Sequence, residues 1–137
     1  MSLGAGIFDF FDQLVGDRIY PLALPQEVEL PAITYQIISD LPTISHSTMQ
    51  DHPTHTGNRH AFTRVQFGCY DSTYDGAEAL CDALNDLAVG FRGTWGTVEI
   101  DSVRPDIRLD DWDEEPNSGL YRAIQDLIIG HLAVPGS

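Results

Sequence analysis

Hydrophobic and polar positions along the chain follow two periods, and the change between them is sharpest from Ala61 to Gly90. In Ala61–Tyr70, Val65, Phe67 and Cys69 alternate with Arg64, Gln66 and Gly68, the period of two that marks a strand with one buried face. Immediately afterwards Ala77, Leu80, Cys81, Leu84 and Ala88 recur at helical spacing and share one face of a helix. Ser72 followed three residues later by Asp75 has the pattern of a capping box. The hydroxyl would accept the Asp75 N–H and the carboxylate would answer the Ser72 N–H. Gly90 stands where a left-handed residue would end the helix. The opposite face holds Asp75, Glu78, Asp82 and Asp86, which repel one another slightly and have no lysine or arginine in helical register. Such a stripe adds no stability, so it faces water or serves something outside the fold.

The same patterns order the rest of the chain. Leu3–Val15 reads as a short amphipathic helix with Ile7, Phe8, Phe11, Leu14 and Val15 on one side. A loop of turn residues follows through Pro21, Pro25 and Pro31, and Ile33–Leu41 is a β-branched, aromatic strand. Pro42–His60 is polar, with four histidines and two prolines. Within it Thr43–Met49 extends as an edge strand and Gln50–Arg59 makes a long excursion. This loop offers too little apolar area to be held against the domain, so it is expected to be ordered only by a neighbouring subunit or partner. Thr97–Leu109 is strand-like with Pro105 at a bend or edge, Asp110–Gly119 is an acidic turn, and Leu120–Leu132 is the last strand. The expected fold is one α+β domain over residues 1–137, an antiparallel sheet with helices on one face. Its core is expected to contain Val65, Phe67, Cys69, Leu80, Leu84, Ile100, Leu127 and Ile129. Cys69 and Cys81, on the core faces of adjoining elements, read as reduced thiols close to each other.

Charge narrows the functions open to such a domain. The formal net charge is −14, from 21 acidic residues against seven basic ones, all of them arginine. That balance is wrong for gripping nucleic acid by its phosphates or for an anionic membrane surface. No run approaches the ~20 apolar residues that span a bilayer, and Asp9 and Asp12 interrupt the N-terminal apolar run, so neither a membrane segment nor a signal peptide is expected.

No recognisable catalytic set emerges. His52, His55 and His60 could suggest zinc, but Pro53 and Gly57 forbid a regular helix there and no cysteine or glutamate completes a ligand set. Asp111, Asp113, Glu115 and Asn117 have the odd-position spacing of a calcium loop, yet Pro116 occupies the glycine position and Arg122 the final glutamate position. Gly90, Gly93 and Gly96 lie at a helix end and a hairpin rather than before a helix, so they make no phosphate loop. Trp95 and Trp112 flank turns and suit hairpin packing or an interface. No catalytic residue, metal or cofactor is expected.

With that order of elements, the chain resembles the tail-completion or tail-terminator proteins of long-tailed bacteriophages and gene transfer particles. The resemblance runs from about Leu14 to Leu132. It rests on Leu30–Tyr35 (LPAITY) opening a strand, Arg64–Tyr70 (RVQFGCY) leading into the helix of Ala77, Leu80 and Leu84, and Tyr121–Leu127 (YRAIQDL) as the closing strand. Pro42–His60 is longer than the family pattern leads one to expect. The resemblance implies a non-enzymatic homo-oligomeric ring, usually a hexamer, that caps the head-proximal end of the tail tube. Its partners would be the tail tube protein and the head–tail connector or stopper. Its place would be the neck of a virion assembled in the host cytoplasm, with DNA passing through unbound and no membrane contact. The acidity fits, because carboxylates lining a channel repel phosphates. On this reading Asp75, Glu78, Asp82, Asp86, Asp110, Asp111, Asp113, Glu114 and Glu115 are candidates for the lumen or its flanks. Arg59, Arg92, Arg104 and Arg108 are candidates for pairing across subunits. Ring closure needs one patch to meet a different patch on the neighbour, and strand addition at Thr43–Met49 or at the last strand would supply it. The alternatives are another neck or minor tail protein of the same particles, or a small metal-dependent hydrolase.

Overall fold

Capping starts both helices, and in each the hydrophobic stripe decides which way they face. In the computed structural model, which describes residues 2–42, 60–112 and 120–132, the Ser2 hydroxyl accepts the Ala5 N–H and opens helix α1, Leu3–Val15. Leu3, Gly6, Ile7, Phe11 and Val15 of α1 are buried. Helix α2, Tyr74–Ala88, buries Ala77, Leu80, Cys81, Leu84 and Ala88, the five positions read from spacing. Its cap lies one residue beyond the expected place. Thr73, not Ser72, is the N-cap, and its hydroxyl accepts the Gly76 N–H at 3.0 Å. Asp71 takes Ser72 instead, with Oδ1 accepting the Ser72 N–H at 2.6 Å. The upstream carboxylate competes successfully for Ser72, and the cap passes to the next hydroxyl. Thr73→Ala should therefore cost about 1 kcal/mol of stability in chemical denaturation, while Ser72→Ala costs much less; equal losses would contradict the assignment.

Six strands complete the chain: β1 (Ile19–Pro21), β2 (Ala32–Pro42), β3 (His60–Asp71), β4 (Gly93–Trp95), β5 (Val98–Trp112) and β6 (Tyr121–Leu132). They form one sheet in the order β1-β2-β3-β6-β5-β4. All neighbours are antiparallel except β1 and β2, whose parallel pairing corrects the expectation of a purely antiparallel sheet. The expected proline loop hides β1, because three residues ending in proline carry too short a pattern to register as a strand. Both helices lie on one face, where Ile33, Val65, Phe67, Cys69, Val103, Leu127 and Ile129 meet α1 and α2 in the core. All eight residues expected in the core are buried.

The last strand, β6, sits between β3 and β5, so it is central and cannot add to a neighbour's sheet as expected. Its nine residues from Ala123 to His131 are all buried, on both faces of the sheet. β5 also runs further than expected, taking Asp110, Asp111 and Trp112 into the sheet opposite Ala123, Arg122 and Tyr121. A two-residue turn, Gly96–Thr97, joins β4 to β5, with Gly96 at φ +63°. α1 lies close over this hairpin because Gly6 has no side chain: a Cβ there would stand 2.6 Å from the Trp95 carbonyl oxygen. Phe10 stacks on Trp95 with ring centroids 4.8 Å apart, and Phe11 meets both Trp95 and Phe67.

Candidate functional site

The side chains with chemical potential collect where α2 crosses β5 and β3. A β-bulge puts them there. Pro105 lies opposite Leu127 and Arg108 opposite Gln125, so three residues of β5 answer two of β6. The extra residue reverses side-chain alternation beyond it. Arg108 is thereby turned to the helix side, the side on which Gln125 bonds Asn85 of α2 at 2.9 Å. From there its guanidinium donates to Glu78 Oε2 at 2.8 Å and to Asp82 Oδ1 at 2.9 Å. Two acidic residues of the α2 stripe thus share one arginine from a strand, a partner that helical register could not disclose. Asp75 and Asp86 are exposed and make no ion pair among the described residues.

Under this bridge lie the two cysteines, both free and buried. They are hydrogen-bonded neighbours, and that bond, with burial, pushes the Cys69 thiol well above the usual range. Cys81 is pulled down, first by the Cys69 S–H that donates to it and further by the Arg108 charge, against the opposing effect of burial. Cys69 therefore keeps its proton at neutral pH, and the pair sits in the core. Arg108→Ala should remove two charge-assisted hydrogen bonds and leave Glu78, whose side chain is 27% exposed, without its cation. The expected loss is about 1–3 kcal/mol in urea titration, and Arg108→Lys should recover only part of it, since an ammonium cannot reach both carboxylates as a planar fork.

The opposite face of the sheet has its own charge network. Arg64 on β3 reaches across β6 to Asp106 in the β5 bulge and to Asp126 on β6, the second at 3.5 Å. Arg122 donates to the Tyr70 hydroxyl at 3.3 Å and lies over its ring. A pair that the sequence reading missed is Thr63 with His131. His131 Nδ1 faces the Leu132 carbonyl at 2.9 Å, which can only accept, so Nδ1 carries the proton. Nε2 shares a hydrogen bond with the Thr63 hydroxyl at 2.8 Å. A hydroxyl beside an imidazole nitrogen has the outline of a nucleophile and base, but both residues are buried, which makes this a satisfied polar pair of the core.

The remaining candidates divide clearly. The side chains of Arg92 and Arg104 are exposed and make no hydrogen bond or ion pair among the described residues. Arg108 is used within the chain, as described. Asp110 and Asp111 belong to β5. Arg59, Asp113, Glu114, Glu115 and nearly all of the Pro42–His60 loop lie outside the described residues, with His52 and His55. Among the described residues no three His, Cys, Asp or Glu side chains gather as metal ligands, and no helix is long and apolar enough to cross a membrane.

No protein-family model matches the chain, and no curated protein matches it. The fold itself has a counterpart among solved structures. A chain described as "Virion of native gene transfer agent (GTA) particle" superposes with a TM-score of 0.56 at 14% identity, over 90% of this chain and 84% of that one. At that identity the likeness is one of fold.

Proposed function

We propose that this protein is a non-enzymatic structural component of a phage-like or gene-transfer particle. Within it, six copies of the protein form the ring that ends the tail tube at the head side and receives the connector. The observation that carries the reading is the fold likeness to a chain of a gene transfer agent virion across nearly the whole length of both chains. Two features support the finer role. The chain is strongly acidic, at −14, which suits a channel that DNA must cross without sticking. Glu78, Asp82 and Arg108 serve an internal bridge, and Thr63 with His131 a core pair. The partners on this reading are further copies of the chain, the tail tube protein and the head–tail connector or stopper.

Electron microscopy tests the proposal at both levels. Purified protein, alone or added to isolated tail tubes, should form six-fold rings with a central hole, and immunogold on intact particles should label the neck. Labelling elsewhere on the tail would reassign the protein to another minor tail position. Absence from purified particles would remove the virion reading altogether.

A further inference from the structure

Cys69, near the end of β3, and Cys81, in α2, are free thiols with no exposed surface. The Cys69 S–H donates to the Cys81 sulfur, so the two sulfurs meet across the boundary between helix and sheet. Only Ser72 and Thr73 separate β3 from α2, and the helix folds straight back over the strand that it follows. The residues around the pair are small. Ala77 lies one turn before Cys81, Ala123 lies opposite Cys69 on β6, and both are buried in the same core cluster. Small side chains from both elements let α2 approach β3 closely. A disulfide needs that approach, since its two Cα atoms must come within ~7 Å.

We infer that Cys69 and Cys81 form an oxidation site, which hydrogen peroxide converts to an intramolecular disulfide that fastens α2 to β3. Neither sulfur is exposed, which selects an oxidant close to water in size over a bulky disulfide. Cys81 reacts first, because the hydrogen bond from Cys69 and the Arg108 charge favour its thiolate. Its sulfur attacks one peroxide oxygen, the O–O bond breaks, and the other oxygen leaves as hydroxide. That hydroxide takes up the proton Cys81 had released, and Cys81 is now a sulfenic acid. Cys69, which has kept its proton, attacks the Cys81 sulfur. The S–O bond breaks as the S–S bond forms, and hydroxide leaves with the Cys69 proton as water. The balance is two thiols and one peroxide to one disulfide and two waters. The bond follows from the fold alone. Only its occasion, a particle leaving a reducing cytoplasm for oxidising surroundings, rests on the function proposed above.

Peroxide treatment of the folded, purified protein tests the site. The tryptic peptide Val65–Arg92 holds both cysteines and no methionine, so its mass reports on them alone. It should fall by two hydrogens, and cleavage after Glu78 should leave its halves joined until dithiothreitol is added. The melting temperature should rise by roughly 5–10 °C on oxidation and return on reduction, since the bond closes a short loop in the unfolded chain. Cys69→Ala removes the second thiol, so Cys81 should gain oxygen instead. Cys81→Ala should leave Cys69 reduced under the same treatment. A folded parent that keeps both thiols, gains oxygen on this peptide without losing two hydrogens, or joins two chains through cysteine would overturn the proposal. The two levels separate cleanly. A disulfide formed in a protein absent from particles keeps the bond and removes the virion role, whereas thiols that resist peroxide in a confirmed neck protein keep the role and remove the bond.

Discussion

Phe67→Ala is expected to destabilise the fold by ~3–5 kcal/mol, and Leu84→Ala by ~2–5 kcal/mol. Phe67 has no exposed surface and lies 4.7 Å, ring to ring, from Phe11 of α1. It joins β3 to the aromatic group of Phe10, Phe11, Phe91 and Trp95, which in turn holds α1 against the β4–β5 hairpin. Its removal therefore loosens three elements, and the fall in denaturation midpoint should come with faster hydrogen exchange in α1. Leu84 is equally buried but works under α2, so its loss should speed exchange in α2 while leaving α1 near parental rates. Losses below about 1 kcal/mol at both positions would mean that the core is not organised around this layer.

These core positions were open to a reading of the sequence because period is a local property. Val65, Phe67 and Cys69 alternate, Ala77 to Ala88 recur at helical spacing, and burial follows in each case. Boundaries were less legible where two nearby groups compete for one partner, as Asp71 and Thr73 do around Ser72. β1 was hidden because its pairing with β2 is set by the tertiary fold and not by its own three residues. The place of the last strand was illegible for a different reason. Its unbroken burial from Ala123 to His131 is the mark of a central strand, but Gln125, Asp126 and His131 interrupt the apolar run that would announce one. Their partners, Asn85, Arg64 and Thr63, come from distant parts of the chain.

The acidic stripe marks the same limit in the candidate site. Spacing along α2 identified Asp75, Glu78, Asp82 and Asp86 as one surface. Only the bulge in β5 brings Arg108 under two of them, and a single extra residue in a strand has no signature in hydrophobic period. The four carboxylates are accordingly not equivalent. Glu78 and Asp82 share a cation and help fasten α2 to the sheet. Asp75 and Asp86 project from the ends of the stripe with their full charge available to whatever lies outside.

Charge reversal can separate these two roles. In the proposed ring, acidic side chains line the opening or flank it, with α2 as a candidate element, and they keep DNA from settling on the wall. Asp75→Lys with Asp86→Lys should leave the fold intact, since both side chains are exposed and make no ion pair among the described residues. Asp75 lies in the first turn of α2, where a negative charge is favoured, so a small loss of about 0.3–1 kcal/mol is expected. Glu78→Lys with Asp82→Lys should instead lower the melting temperature clearly, because Arg108 would face two cations. Repulsion between acidic copies also opposes ring closure. Assembly of the parent should therefore strengthen as salt rises and the screening length falls to ~8 Å near physiological ionic strength. The Asp75/Asp86 variant should need less salt to close. Free parent protein should show no binding to DNA even at low salt. In assembled particles, the Asp75/Asp86 reversal should reduce DNA delivery on the order of tenfold or more, by giving the passing phosphates a wall that holds them. Normal delivery by particles that contain the variant ring would place this face of α2 on the outside and leave the lining of the channel to other carboxylates.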